Sequence, residues 1–181
     1  NGMSGWRDDA GVDILTLQEV RAAADDLAAA LPGWHVVNDA ALAKGRAGVA
    51  IAAREPLEIW RTELGDHTLD SKGRGVEADI EVAGQAVTGV SAYVFTGEAD
   101  TEKQVAKYAF LDAMEARLPA LGERAVVTGD LNVGHRELDI RNWRGNRKKA
   151  GFLPRERAYF DRFTGARGET VECVDGTTGT G

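Results

Sequence analysis

The sequence has little cysteine, histidine or proline, and it has no long apolar run. Its one cysteine, Cys173, forms no internal disulfide and supports no cysteine-based zinc site. The histidines, His35, His67 and His135, are scattered without zinc-ligand spacing. No stretch approaches the roughly 18 consecutive apolar residues of a membrane helix, so no membrane partner is expected. Positive charge is not in excess either. The formal net charge is −7, which argues against generic nucleic-acid affinity and requires any DNA-binding surface to be local. No secretory leader is visible, and a reducing cytoplasm is the expected compartment.

What is present suits one folded domain. The chain has 181 residues, 43% apolar and 28% charged, enough length and apolar content for a real core. Apolar runs at 14–17 and 125–128 read as buried strands, and 34–37 and 48–52 also read as strands. The run 76–82 alternates apolar and acidic residues, which predicts a strand with one wet face. A second strand, 86–94, follows across Ala83-Gly84, a hairpin signal. Helices are predicted over 21–31, 101–121 and 154–163. In the second, Leu111, Met114, Leu118 and Leu121 recur every three or four residues and Gly122 stops it. Residues 1–163 read as one domain. Residues 164–181 are Gly- and Thr-rich and read as a loose segment.

Chemistry concentrates where the runs end. Gly129-Asp130-Leu131-Asn132 follows Ala125-Val126-Val127-Thr128, so Asp130 and Asn132 sit on a strand-exit loop where side chains converge on ligands. Asp supplies a hard anionic oxygen or proton acceptor, and Asn an uncharged donor and acceptor. That mixture suits hydrolysis of a phosphodiester, although Gly-Asp at a strand end is more often only a turn. Gln18-Glu19 close the run Ile14 to Leu17, and a carboxylate there can share a divalent cation with Asp130. Arg21 adds a cation near bound phosphate. Taken alone, Glu19 reads more readily as a solvated residue on a strand-to-helix loop. From Arg141 to Lys149 five of nine residues are basic, with Trp143 among them and no acid, a composition that fits a phosphate backbone. Arg74 lies between Gly73 and Gly75, glycines that permit close approach to a ligand or simply a flexible loop.

These segments together resemble the exonuclease III family of abasic-site endonucleases, in the endonuclease/exonuclease/phosphatase superfamily. Leu17-Gln18-Glu19 resembles the metal-ligand motif, Ser91 to Glu98 the active-site tyrosine loop, and Gly129 to His135 the Asp/Asn loop. The stretch from Leu138 to Asp161 resembles the insertion that separates this family from its phosphatase relatives. The resemblance runs from about Gly11 to Phe163.

It implies a four-layered α/β sandwich, with two packed mixed β-sheets flanked by helices, incomplete here. It also implies Mg²⁺- or Mn²⁺-dependent, monomeric hydrolysis of double-stranded DNA beside abasic sites and from 3′ ends. By resemblance Tyr93, Asp130 and Asn132 are catalytic and Glu19, Asp130 and Asn132 hold the metal. Arg21, Arg74, Thr96, Asn142, Asn146, Lys148 and Lys149 contact DNA, and His135 packs in a loop outside the chemistry.

Two departures stand out. Phe95 and Thr96 replace the usual Pro and amide residue of the tyrosine loop. Lys44-Gly45-Arg46-Ala47 replaces an aromatic with cations. The family's opening Asn strand and closing Asp-His pair have no counterpart here. The sequence therefore reads as an internal fragment, expected to be inactive by itself. The competing readings are a superfamily phosphatase or phosphodiesterase on a small molecule or lipid, and a non-catalytic DNA-binding fragment. The basic segment speaks against the former.

Overall fold

The computed structural model describes residues 10–41, 47–62, 64, 73–165, 171–172 and 178–179. The cationic stretch at 44–46, together with Lys72, His67 and Cys173, lies outside the described residues. The chain divides into two compact units, one of Asn1–Val94 and Ala116–Leu131, the other of Phe95–Glu115 and Asn132–Gly181.

The first unit holds two sheets. Strands β1 (Ile14–Gln18), β2 (His35–Asp39) and β3 (Val49–Ala53) form an antiparallel sheet in the order β1-β3-β2. Strands β4 (Leu57–Arg61), β5 (Gly75–Val82), β6 (Gln85–Tyr93) and β7 (Ala125–Asp130) form a mixed sheet in chain order, with β6 and β7 parallel. Central β3 explains why its sequence carries no polar residue, since all five positions are buried. Val49, Ile51 and Ala53 cluster with Val76, Ala78 and Ile80 of β5. On the other face, Ala50 and Ala52 cluster with Trp34, Leu15 of β1, Leu31, and Leu27 of helix α1 (Ala24–Ala30). Full burial of a side chain such as Ile51 contributes about 2 kcal/mol.

The predicted hairpin is present. Ala83 (φ 52°) and Gly84 (φ 77°) make its turn, the left-handed pair that matches strand twist. Strand β4 has no alternation clear enough to be read from sequence. The acidic face of β5 is not wet where it was expected to be. Glu77 is 1% exposed and accepts from Arg117 Nε (2.9 Å) and Nη2 (2.8 Å), with Arg61 Nη1 at 3.4 Å. A buried carboxylate persists only when paired. The Glu77 hydrogen bond is the main reason the Arg117 pKa is raised.

The second unit is mainly helical. Helix α2 (Glu102–Arg117) lies largely in it, followed along the chain by α3 (Trp143–Asn146) and α4 (Pro154–Phe163). Pro154 opens α4, and Glu156 Oε2 accepts from the Leu153 N–H at 2.9 Å, completing its first turn. Helices α2 and α4 are tied by Tyr159 donating to Asp112 and by Arg162 Nη2 donating to Glu115 (3.0 Å). Within 164–181, β8 (Val171–Glu172) and β9 (Thr178–Gly179) form a short antiparallel pair. The basic segment is not a plain loop, because it contains α3. No helix among the described residues is long and apolar enough to cross a membrane.

Candidate active site

In the first unit, three strand ends bring functional side chains together. Strand β1 stops at Gln18, and Glu19 follows in a left-handed conformation (φ 55°). That backbone is uncommon for Glu and persists only where surrounding contacts enforce it. The residues just before Glu19 are held by contacts between the sheets. Gln18 Nε2 donates to Ser91 Oγ (2.9 Å), and Ser91 Oγ donates to the Leu17 carbonyl (3.1 Å). Thr128 Oγ1 donates to Thr16 Oγ1 (2.8 Å). These polar rungs fix the end of β1 against β6 and β7.

Strands β6 and β7 finish in register, with Tyr93 opposite Asp130. Gly129 (φ 150°) makes this possible, since a Cβ there would lie 1.9 Å from the Ala92 carbonyl oxygen. Only glycine allows so close a backbone approach. The backbone pairing continues one residue further, where the Val94 N–H donates to the Asp130 carbonyl at 2.9 Å.

The Tyr93 hydroxyl donates to Glu19 Oε1 at 2.8 Å, and Arg21 Nη2 donates to Glu19 Oε2 at 3.0 Å. Arg74 lies over the Tyr93 ring, 4.3 Å from its centroid, and its Nη1 donates to the Tyr93 carbonyl at 3.3 Å. The Arg74 N–H donates to Asp39 Oδ2 at 3.2 Å. Burial lowers the Arg74 pKa, against the opposing pull of Tyr93, Asp130 and Glu19. Burial raises the Tyr93 pKa, helped by its hydrogen bond to Glu19 and by the Glu19 and Asp130 charges. The phenol therefore stays neutral and able to donate at physiological pH.

The donor set is one of hard oxygens, which suits a divalent cation that keeps several waters. Glu19 and Asp130 are its anionic members in this unit. Among the described residues no three His, Cys, Asp or Glu side chains converge.

The second unit holds the remaining candidates. Asn132 is left-handed (φ 50°), and its carbonyl accepts from Lys107 Nζ at 2.8 Å. Thr96 is exposed, and its carbonyl accepts from the same Nζ at 3.1 Å. Asn146 Nδ2 donates to the carbonyls of Arg141 (3.2 Å) and Asn142 (3.1 Å), so its amide helps hold the basic segment together. Asn142 is left-handed (φ 55°), and it is exposed together with Lys148 and Lys149. The guanidinium carbons of Arg144 and Arg147 lie 4.5 and 5.7 Å from the Trp143 ring centroid. Arg147 and Lys148 line an open groove of about 990 Å³ with Tyr108, Gln104 and Pro154. His135 Nε2 lies 2.7 Å from Asp161 Oδ1, and that hydrogen bond is the main cause of the lowered Asp161 pKa.

Lys107 and Glu156 were not among the residues singled out from sequence. The signal was present, because Lys107 stands four residues before Leu111 and seven before Met114, on the apolar face of α2.

Two stacked sheets with carboxylates, a phenol and a guanidinium at their strand ends define the architecture as α/β. The chain belongs to the endonuclease/exonuclease/phosphatase family, which it matches over residues 2–180. It is 33% identical over 172 residues to the DNA repair nuclease APEX1 of Danio rerio, covering 88% of this chain and 52% of that one. It is 29% identical to an exodeoxyribonuclease of Bacillus subtilis, covering 83% and 59% respectively. The chain thus spans about half the length of the curated relatives it matches. The solved AP endonuclease of Archaeoglobus fulgidus superposes with a TM-score of 0.76 at 27% identity, over 89% of this chain and 63% of that one. Nucleases of this family depend on a divalent metal.

Proposed function

We propose that the protein of which this chain is part is a Mg²⁺- or Mn²⁺-dependent phosphodiesterase of DNA repair. It hydrolyses the backbone of double-stranded DNA beside abasic sites and from 3′ ends. The observation that carries this reading is the meeting of Glu19, Tyr93, Arg74 and Asp130 at strand ends. They meet in a family whose relatives include a DNA repair nuclease and an exodeoxyribonuclease.

In this reading the water oxygen attacks phosphorus in line and the P–O bond to the leaving oxygen breaks. Asp130 accepts the water's proton, and Asn132, two residues along, orients that water. Tyr93, a neutral phenol, donates to the phosphate or to the leaving oxygen. Arg74 offsets the charge that builds on the phosphoryl oxygens. Glu19 and Asp130 would hold the cation, which when bound polarises the phosphoryl group; by resemblance to the family Asn132 would be a further ligand. Lys148 and Lys149, on the exposed basic segment, supply sequence-independent backbone contact.

The test is cleavage of a duplex with one abasic site by the full-length protein, with and without a chelator. Chelator-sensitive incision at the abasic position is expected. Turnover of an inositol phosphate or a sphingolipid instead, with the duplex left intact, would move the protein to the phosphatase side of its superfamily.

A further inference from the structure

Lys107 is a buried cation that the mechanism above does not use. It is 0% exposed, and its Nζ lies 2.7 Å from Glu156 Oε1, which is also 0% exposed. The same Nζ donates to the carbonyl oxygens of Asn132 (2.8 Å) and Thr96 (3.1 Å). Three acceptors therefore match the three N–H bonds of an ammonium. Glu156 is equally well satisfied, accepting from Gln104 Nε2 at Oε1 and from the Leu153 N–H at Oε2, both at 2.9 Å.

The two carbonyls are not arbitrary backbone. Thr96 comes three residues after Tyr93, and Asn132 two after Asp130. Both lie on the loops that carry the chain out of β6 and β7. Asn132 is held in the left-handed region (φ 50°), and Gly97 (φ 76°) lies so close to the lysine stem that a Cβ would stand 2.9 Å from its Cδ. A buried ion pair seldom stabilises a fold better than apolar packing would. Its distinctive effect here is to tie both exit loops to one point on α2.

We propose that Lys107 is a positioning residue. By clamping the backbone at Thr96 and Asn132, it fixes the position of the Asn132 amide, on which the proposed hydrolysis depends. This rests on the hydrolytic function proposed above.

The experiment compares wild type, Lys107→Met and the charge-neutral pair Lys107→Met with Glu156→Gln, all in the full-length protein. It uses an abasic duplex and measures kcat, KM and the melting temperature. Both variants are expected to lose on the order of 10- to 100-fold in kcat, with KM within about 3-fold of wild type, as a small misplacement of a reacting group would cause. The single variant should melt well below wild type. The pair, which leaves no buried charge uncompensated, should melt closer to it. A clamp therefore keeps kcat low after stability has recovered. If kcat returns with stability, if KM carries the loss, or if neither variant folds, Lys107 is core structure and the proposal falls. A wild-type protein that leaves the duplex intact overturns the hydrolytic reading itself. A cleaving wild type whose double variant has normal kcat overturns only the clamp.

Discussion

The two units each hold a carboxylate against a cation, on opposite terms. In the first, Glu19 and Arg21 are paired at 3.0 Å with side chains 49% and 61% exposed. In the second, Glu156 and Lys107 are paired at 2.7 Å and fully buried. An exposed pair contributes at most about 1 kcal/mol to stability, because water and salt screen it. A buried pair has lost its water, so removing one partner strands the other charge. The comparison teaches that the Glu19–Arg21 pair stands where solvent or a ligand can reach it, whereas the Lys107–Glu156 pair is committed to holding backbone. Substitutions in the exposed strand-end site should therefore change rate without changing stability, and those in the buried Lys107–Glu156 pair should change both.

The most direct way to break that contrast is Glu156→Ala. It leaves the Lys107 ammonium uncompensated and removes the acceptor of the Leu153 N–H. Roughly 3–5 kcal/mol of stability should be lost, read as a lower urea midpoint at unchanged slope. A loss under about 1 kcal/mol would mean that the pair is solvated and the contrast false. On the exposed side, Asp130→Asn should raise the barrier to abasic-site cleavage by roughly 3–4 kcal/mol. The urea midpoint should stay put and DNA binding should survive. Retention of more than a tenth of the wild-type single-turnover rate would take Asp130 out of the chemistry.

The sequence displayed the strand-end half of this picture better than the buried half. Glu19, Tyr93 and Asp130 stand at the ends of clear apolar runs, and a strand end is a position that local pattern reveals. Strand β3 was legible for the same reason, since its burial on both faces leaves an uninterrupted apolar run. Glu77 was misread because alternation signals a wet face unless cations arrive to cover it. Arg61 and Arg117 arrive from 16 and 40 residues away. The network around Lys107 was hidden by the same separation. Its partners Thr96, Asn132 and Glu156 are scattered along the chain and two of them contribute only backbone oxygen, which carries no residue signature. Strand β4 was missed because Leu57–Arg61 mixes apolar and charged residues without strict alternation.

A smaller effect separates the basic segment from both charge pairs. Lys148 and Lys149 are exposed, so replacing both by alanine should leave stability and the chemical step intact. Duplex binding should weaken for every sequence. The log–log salt dependence should become shallower by about 2, because each phosphate that a lysine neutralises adds roughly 0.9 to the slope. An unchanged slope in a binding titration from low to high salt would make the segment a solvated surface.

The smallest expected effect is a titration, and it tests whether the strand-end charges truly share one electrostatic site. Tyr93 lies above its ordinary value of 10.0, first because it is partly buried, then because it donates to Glu19 and feels the Glu19 and Asp130 charges. A folded-state pKa above the unfolded one means that the neutral phenol is favoured on folding. The stability this contributes is complete below about pH 10 and is lost as pH rises through the folded value. Spectrophotometric titration near 295 nm should therefore show Tyr93 ionising late, identified as the signal that Tyr93→Phe removes. Asp130→Asn and Glu19→Gln should each move that signal back toward 10, Glu19 the further because it also accepts the phenol's hydrogen bond at 2.8 Å. If only Glu19→Gln moves it, Asp130 lies outside the shared field and the two carboxylates do not act on one ligand. If neither moves it, burial alone accounts for the shift, and the strand-end constellation loses the coupling that distinguishes it from ordinary surface charge.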